Sequence, residues 1–205
     1  MSDEGVDESK RETLRRFAAV GTAGSFTRFA GRADADGDTP ESDARDAIAG
    51  YLTRTPGAHF SKLRDDLKLG TGETQHHLRR LIDAGRVESY KDGDYRRYVP
   101  AGQFSEFERT ALSYLRRETA RGMIIALLSD AAATGSDIAE SLGVSRPTVS
   151  SYAADLEAAG LLSREEGYSL VEPATILLLL VRYADSFGAD AVAFAADADE
   201  LIEFA

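Results

Sequence analysis

The fold of this chain is decided by residues 69–90, LGTGETQHHLRRLIDAGRVESY. Apolar side chains recur there at helical spacing, which predicts a helix that starts with Thr71 as its N-cap and ends at Gly85 in a left-handed conformation. Two short strands, residues 87–90 and 95–99, follow around a tight polar turn and predict a β-hairpin. The stripe of the helix that we expect to pack inward comprises Thr74, Leu78, Leu81 and Ile82.

Two helices are predicted upstream of this segment. Apolar residues at helical spacing indicate an opening helix, which stops at the breakers of residues 55–57. Ser61 is predicted to cap a short second helix, with Leu63 and Leu67 on its apolar face. Three helices followed by a hairpin are the order of a winged helix-turn-helix domain, in which the hairpin is the wing.

The same order recurs 75 positions later. Glycine, alanine and leucine positions repeat in register, as in Gly85 and Gly160, and a shorter hairpin ends the second copy. Ser136 and Ser145 are the predicted N-caps of its second and third helices. A repeat of this length indicates two similar small domains. We therefore predict a mainly α fold with small β-hairpin wings, formed by two tandem winged helix-turn-helix domains plus a connecting helix and C-terminal helices.

The sequence outside the two copies is predicted to be largely helical. Residues 12–29 are expected to form an amphipathic helix that packs on the body, followed by a flexible acidic linker at 32–39. The predicted segments are an N-terminal acidic and amphipathic segment at 1–40, the first winged helix-turn-helix at 41–103, a connecting helix at 104–120, the second winged helix-turn-helix at 121–172 and a C-terminal helical segment at 173–205.

The C-terminal segment contains six consecutive apolar residues, 176–181, which are far too few to cross a bilayer. A helix that is apolar on all sides must be buried. It either fills the groove between the two copies or packs against the same helix of a second subunit, and we expect a homodimer through this C-terminal helix. Residues 189–205 could form a further helix or a strand.

The two third helices carry a family resemblance. Residues 69–81 with 83–87, and residues 144–150 with 156–162, resemble archaeal winged helix-turn-helix transcriptional regulators of the broad ArsR and MarR type. The resemblance covers roughly residues 41–171. It implies a sequence-specific DNA-binding transcriptional regulator whose partner is double-stranded DNA.

Composition indicates an unusual cellular setting. The net charge is -11, arginine far outnumbers lysine, and cysteine is absent, which resembles proteins of salt-accumulating haloarchaea. At roughly 1 M salt the Debye length is only about 3 Å, so an acidic surface repels DNA weakly. The absence of cysteine excludes disulfides and thiolate metal sites. A halophilic, archaeal, cytoplasmic DNA-binding protein is the setting that we predict.

Charge favours the first copy as the main DNA reader, because basic residues outnumber acidic ones between residues 60 and 99. The N-terminal part of the third helix enters the major groove in this fold. There Gln75 suits adenine and Arg79 suits guanine, while wing residues reach phosphates or the minor groove. The alternative is that these charges only solvate the surface. The candidate DNA-binding residues are Ser61, Lys62, Thr71, Gly72, Gln75, His76, Arg79, Arg80, Lys91, Arg96 and Arg97.

The second copy is a weaker DNA-binding candidate. Between residues 121 and 172 only three arginines oppose eight carboxylates. Its possible contacts are Ser145, Arg146, Thr148, Ser150 and Ser151.

Enzymatic and metal-binding functions are disfavoured. The sequence contains no phosphate loop and no nucleophile with a plausible base, so we predict no enzyme and no cofactor. His76 and His77 are adjacent on a helix and point about 100° apart, which prevents them from sharing one ion. We expect His77 to pack in a half-buried position and His76 to face DNA.

Two other functions remain open. Winged helices also serve as protein-interaction adaptors, with the acidic second copy as the binding surface. A ligand-sensing regulator would hold an effector, unknown from the sequence, between the second copy and the helix after Pro173.

Overall fold

The computed structural model describes residues 4–23 and 40–202 and divides the chain into two compact units, residues 1–104 and 105–205. Each unit contains a helix-turn-helix followed by an antiparallel hairpin, together with additional helices. The predicted fold class, mainly α with two tandem winged helix-turn-helix domains and small wings, is confirmed.

The described part of the first unit contains four helices and a small antiparallel sheet. Its elements are α1 (Glu4–Ala23), α2 (Pro40–Arg54), β1 (Ala58–His59), α3 (Phe60–Asp66), α4 (Thr71–Asp83), β2 (Val87–Asp92) and β3 (Tyr95–Pro100). The strand order is β1-β3-β2. β2 and β3 form the wing, in register from Val87 opposite Pro100 to Asp92 opposite Tyr95.

The core of the first unit joins α1, α2 and the helix-turn-helix. Leu14 of α1 is buried, and Phe17 packs edge-on against Tyr51 of α2 with ring centroids 5.3 Å apart. The Tyr51 hydroxyl donates to the Asp66 carboxylate at 2.7 Å, which links α2 to the end of α3. The leucine and isoleucine side chains buried in this core include Ile48, Leu52, Leu63, Leu67, Leu78 and Leu81.

The described part of the second unit begins with a helix that the sequence assigned to a connector. Its elements are α5 (Glu106–Leu115), α6 (Glu118–Ser129), α7 (Gly135–Leu142), α8 (Arg146–Ala158), β4 (Leu162–Ser163), β5 (Ser169–Leu170), α9 (Pro173–Arg182), α10 (Ala184–Phe187) and α11 (Ala189–Ile202). The connecting helix predicted at 104–120 is therefore shorter than expected, and Arg116 and Arg117 separate it from α6.

A buried arginine fixes the C-terminal helices of the second unit. Arg121 of α6 contacts Asp190 of α11 at 2.8 Å through Nε and donates to the carbonyl of Leu115 at 3.0 Å through Nη1. The prediction left residues 189–205 as helix or strand, and a helix extends to Ile202.

The repeat of 75 residues is visible in the backbone. α4 and α8 both contain 13 residues and start 75 positions apart, at Thr71 and Arg146. Gly85 and Gly160 follow them with φ of 65° and 72°, the left-handed conformation that the sequence predicted. Thr74, Leu78 and Leu81 are buried as expected, and so are their counterparts Val149, Ala153 and Leu156.

Three predicted helix caps are wrong. The imidazole of His59, and not Ser61, caps α3 by accepting from the Lys62 amide at 3.3 Å. Gly70 precedes α4, so Thr71 is the first helical residue, and Thr134 rather than Ser136 caps α7. Each of these helices starts one or two residues earlier than its predicted serine or threonine cap implied. The Ser145 cap of α8 is confirmed, since its side chain accepts from the Thr148 amide.

Two predictions of burial and extent also need correction. The helix predicted at 176–181 is not buried all round, because Leu178 of α9 is 69% exposed. The N-terminal helix begins at Glu4, eight residues before the predicted start, and residues 24–29 and the predicted linker at 32–39 lie outside the described residues. None of the helices within 4–23 and 40–202 combines the length and apolar character needed to cross a membrane.

Candidate nucleic-acid interface

α4 presents a polar face opposite its buried stripe. Gln75, His76, Arg79 and Arg80 are exposed, because burial of Thr74, Leu78 and Leu81 fixes the rotation of the helix. His77 is buried rather than half-buried, and its ring meets that of His76 edge-on at 5.3 Å. Among the described residues no group of His, Cys, Asp and Glu side chains could hold a metal ion.

A groove of about 790 Å³ lies between α4 and β3. Gln75, His76 and Arg79 line it from the helix and Arg96 lines it from the wing. Ile82 was predicted to pack inward, but it is 36% exposed and lines this groove. Ile82 lies at the edge of the apolar stripe of α4, on the side that lines the groove. The remaining lining residues are Phe60, Gly72, Leu78, Asp83 and Tyr98.

The cations around this groove are available for a ligand. Arg79, Arg80, Lys91 and Arg96 are exposed and form no ion pair with any residue in the described ranges. Lys62 of α3 differs, because its Nζ contacts the Asp66 carboxylate at 2.9 Å. Ser61 is exposed beside it on the same helix.

The N-terminus of α4 is held by a carboxylate and by α1. Glu73 accepts from the Gly70 amide at 3.2 Å and from Lys10 Nζ of α1 at 2.9 Å. Partial burial acts to raise the pKa of Glu73, but the Lys10 and Gly70 hydrogen bonds outweigh it and place that pKa below its usual value. Thr71 and Gly72 of the first turn are exposed. This turn is therefore fixed and open to solvent.

Arg97 was predicted to contact DNA, and the structure contradicts this. Its side chain is 5% exposed. Nε contacts the Asp92 carboxylate at 2.6 Å, and Nη1 donates to the Gly57 carbonyl at 2.9 Å. Because successive side chains of a strand point to opposite faces, only one of Arg96 and Arg97 can face the groove, and it is Arg96.

The sequence overlooked two wing residues. Tyr95 is 56% exposed beside the wing turn, and its ring lies 5.3 Å from that of His59. Asp92 ends β2 and binds Arg97. The signal available for Tyr95 was the alternation of β3, which places Tyr95 on the same face as Arg97. The signal for Asp92 was the hairpin register, which pairs it with Tyr95.

The second unit offers a less basic surface. On α8, Ser145 is engaged as the cap, and its hydroxyl lies 2.8 Å from that of the half-buried Thr148. Arg146, Ser150 and Ser151 are exposed, so Arg146 is the one cation on the described outer face of α8.

Two helix-turn-helix families match the chain. Residues 42–112 match a family of N-terminal HTH domains, and residues 118–168 match the MarR family. No curated protein and no solved structure matches. Both families consist of regulatory DNA-binding proteins, and such proteins often form dimers. The two matches support a DNA-binding transcriptional regulator of the HTH and MarR type.

Proposed function

We propose that this protein is a sequence-specific regulator that binds double-stranded DNA with its first unit as the main reader. The observation that carries the proposal is the groove between α4 and the wing, which Gln75, Arg79 and Arg96 line. Exposed, unpaired cations next to a polar helix face are the side chains that neutralise phosphates and read base edges.

The fold determines how DNA meets this surface. The N-terminal part of α4 enters the major groove, where Gln75 pairs with adenine and Arg79 with guanine. Thr71 and Gly72 approach a phosphate. The space beside Gly72 is open, because a Cβ added there would meet no described heavy atom within 4 Å. Arg80 contacts the backbone or a base edge, while His76 lies against the same groove.

The wing supplies the second set of contacts. Lys91 and Arg96 lie on neighbouring strands, opposite each other in the β2–β3 register. Both reach phosphates at the flanking minor groove. Ser61 and Lys62 of α3 contribute less, because Lys62 must first leave Asp66.

Matched positions in α8 support the proposal that the first unit is the better reader. Gln75, Arg79 and Arg80 correspond, 75 positions on, to Ser150, Ala154 and Asp155. The second unit thus has a hydroxyl, a methyl group and a carboxylate where the first has an amide and two guanidiniums. A carboxylate facing phosphates is repulsive, so Ser145, Arg146, Thr148, Ser150 and Ser151 make at most supporting contacts.

The matched positions also define the test. An operator is first selected from random duplexes with the full-length protein, and the affinities of Arg79→Ala and Gln75→Ala are compared with that of Ser150→Ala. Loss of a bidentate base contact costs about 1–3 kcal/mol, roughly five- to 160-fold in affinity, and relaxes specificity at one base pair. Ser150→Ala should bind within about twofold of the unchanged protein. Equal losses from both units would contradict the first unit as main reader.

We infer a homodimer that forms through α9 of the C-terminal segment. Leu178 of α9 is 69% exposed and Val192 of α11 is 43% exposed, so both leave apolar surface open to a partner. A second copy of this chain would cover them, and a twofold dimer fits a palindromic site. Leu178→Glu should shift the sedimentation of the protein toward the monomer, whereas Ser151→Glu should not. An unchanged sedimentation coefficient for Leu178→Glu would rule out this interface.

A further inference from the structure

Arg97 lies behind the wing, and we propose that it is a positioning residue that holds Arg96 against DNA. This inference rests on the proposed function of the first unit. Arg97 would act through the geometry of the hairpin and make no DNA contact of its own. The evidence is the set of partners that surround its buried guanidinium.

Three partners fix the Arg97 side chain. Nε binds the Asp92 carboxylate, Nη1 donates to the Gly57 carbonyl, and the guanidinium carbon lies 5.9 Å from the centroid of the Tyr95 ring. Asp92 and Tyr95 flank the wing turn, whereas Gly57 precedes β1. A planar guanidinium can serve such separate partners in one geometry. One side chain therefore ties the turn of the wing to the corner that leads into α3.

The wing needs this tie because its outer part is a two-stranded ribbon. β1 pairs with β3 only at Ala58–Tyr98 and His59–Arg97, so the third strand ends at Arg97. Beyond it, the pairs Lys91–Arg96 and Asp92–Tyr95 have only β2 and β3 as described strands, and the side chains of Arg97 and His59 contact this part of the wing. Isolated two-stranded hairpins are marginally stable in water. Arg96 belongs to this outer ribbon, so its position depends on the Arg97–Asp92 pair.

A change at Asp92 separates positioning from simple electrostatics. Asp92→Asn removes a negative charge from the wing, so Coulomb attraction alone predicts tighter DNA binding. If Asp92 and Arg97 position Arg96, the same change weakens binding, because the turn loses its charged anchor. The two explanations predict opposite signs for one nearly isosteric substitution.

The experiment is a double-mutant cycle on the full-length protein with its selected operator. Arg96→Ala, Asp92→Asn and Arg97→Met should each weaken binding, by about tenfold for loss of one charge-assisted contact. In a background that carries Lys91→Ala and Arg96→Ala, Asp92→Asn and Arg97→Met should cost less than about twofold more, because both residues through which they act are gone. Multiplicative losses in that background, or tighter binding by Asp92→Asn alone, would overturn the proposal.

Two further measurements keep the test decisive. Arg97→Lys retains the charge without the planar fork, and it should recover part of the affinity lost in Arg97→Met at unchanged helical content. Amide hydrogen exchange at residues 91–96 should accelerate in Asp92→Asn even without DNA, and unchanged exchange there would overturn the positioning role. If the unchanged protein binds no duplex, the proposed function fails, while the exchange result still shows whether the Arg97–Asp92 pair holds the wing.

Discussion

The unpaired cations of the first unit determine how steeply DNA binding should fall with salt. Four of them, Arg79, Arg80, Lys91 and Arg96, are exposed around the candidate interface without an ion-pair partner in the described ranges. Arg79 is assigned to a base edge, which leaves Arg80, Lys91 and Arg96 for phosphates. Each phosphate neutralised on B-DNA adds about -0.9 to the slope of log K against log salt, so one protomer should give about -2.7. Binding at 1 M salt should then be about 500-fold weaker than at 0.1 M.

Single substitutions should change that slope in proportion. Arg80→Ala leaves two of the three phosphate-contacting cations, so the slope should shrink by about a third. This fraction is the same for a monomer and for a dimer on two half-sites, which makes it independent of stoichiometry. Lys62→Ala should have a smaller effect, because Lys62 already binds Asp66.

The assay is a set of binding isotherms for the selected operator across a potassium chloride series, with Arg146→Ala of the second unit as the control. Arg146→Ala should leave the slope unchanged within error. A slope shallower than about -1 for the unchanged protein, or equal effects of Arg80→Ala and Arg146→Ala, would refute the assignment of phosphate contacts to the first unit.

Two predictions concern stability. Lys68 has a left-handed φ of 55° where the second unit has Gly143 at 64°. In urea titrations, Lys68→Gly should therefore raise the free energy of unfolding by up to about 1 kcal/mol. Gly143→Ala should lower it by a similar amount. The folded pKa of Glu73 lies below its unfolded value of 4.5, so its contribution to stability is present above that pH and is lost as pH falls through the folded pKa. Lys10→Met should reduce the loss of unfolding free energy that accompanies acidification. A stability profile against pH identical to that of the unchanged protein would contradict the role of the Lys10–Glu73 pair.

The helix-turn-helix core was predictable because its signals are local and periodic. The stripe of Thr74, Leu78 and Leu81 needs only helical spacing, and Gly85 ends the helix by its own conformational freedom. The second copy added independent support, since each feature recurred 75 positions later. These elements depend on short stretches of chain and little on distant partners.

The features that were missed depend on contacts across the sequence. β1 comprises two residues, Ala58 and His59, which carry no periodic pattern and become a strand by pairing with β3. His59 caps α3 with an imidazole that average preferences rank below the nearby serine. Arg97 was predicted to contact DNA because the sequence shows its charge but does not show that Asp92 and Gly57 are its partners.

A comparison of α4 with α8 distinguishes the residues that the fold requires from those that it leaves free to vary on the surface. Inward positions match in burial between α4 and α8, as for Leu81 and Leu156, because both helices must pack on the same scaffold. Outward positions are free of that demand, and there Arg80 of the first copy corresponds to Asp155 in the second. Packing cannot account for the guanidiniums of α4, since the equivalent helix folds without them. A role toward a ligand would account for them, and under the proposed function that ligand is the polyanionic backbone of DNA.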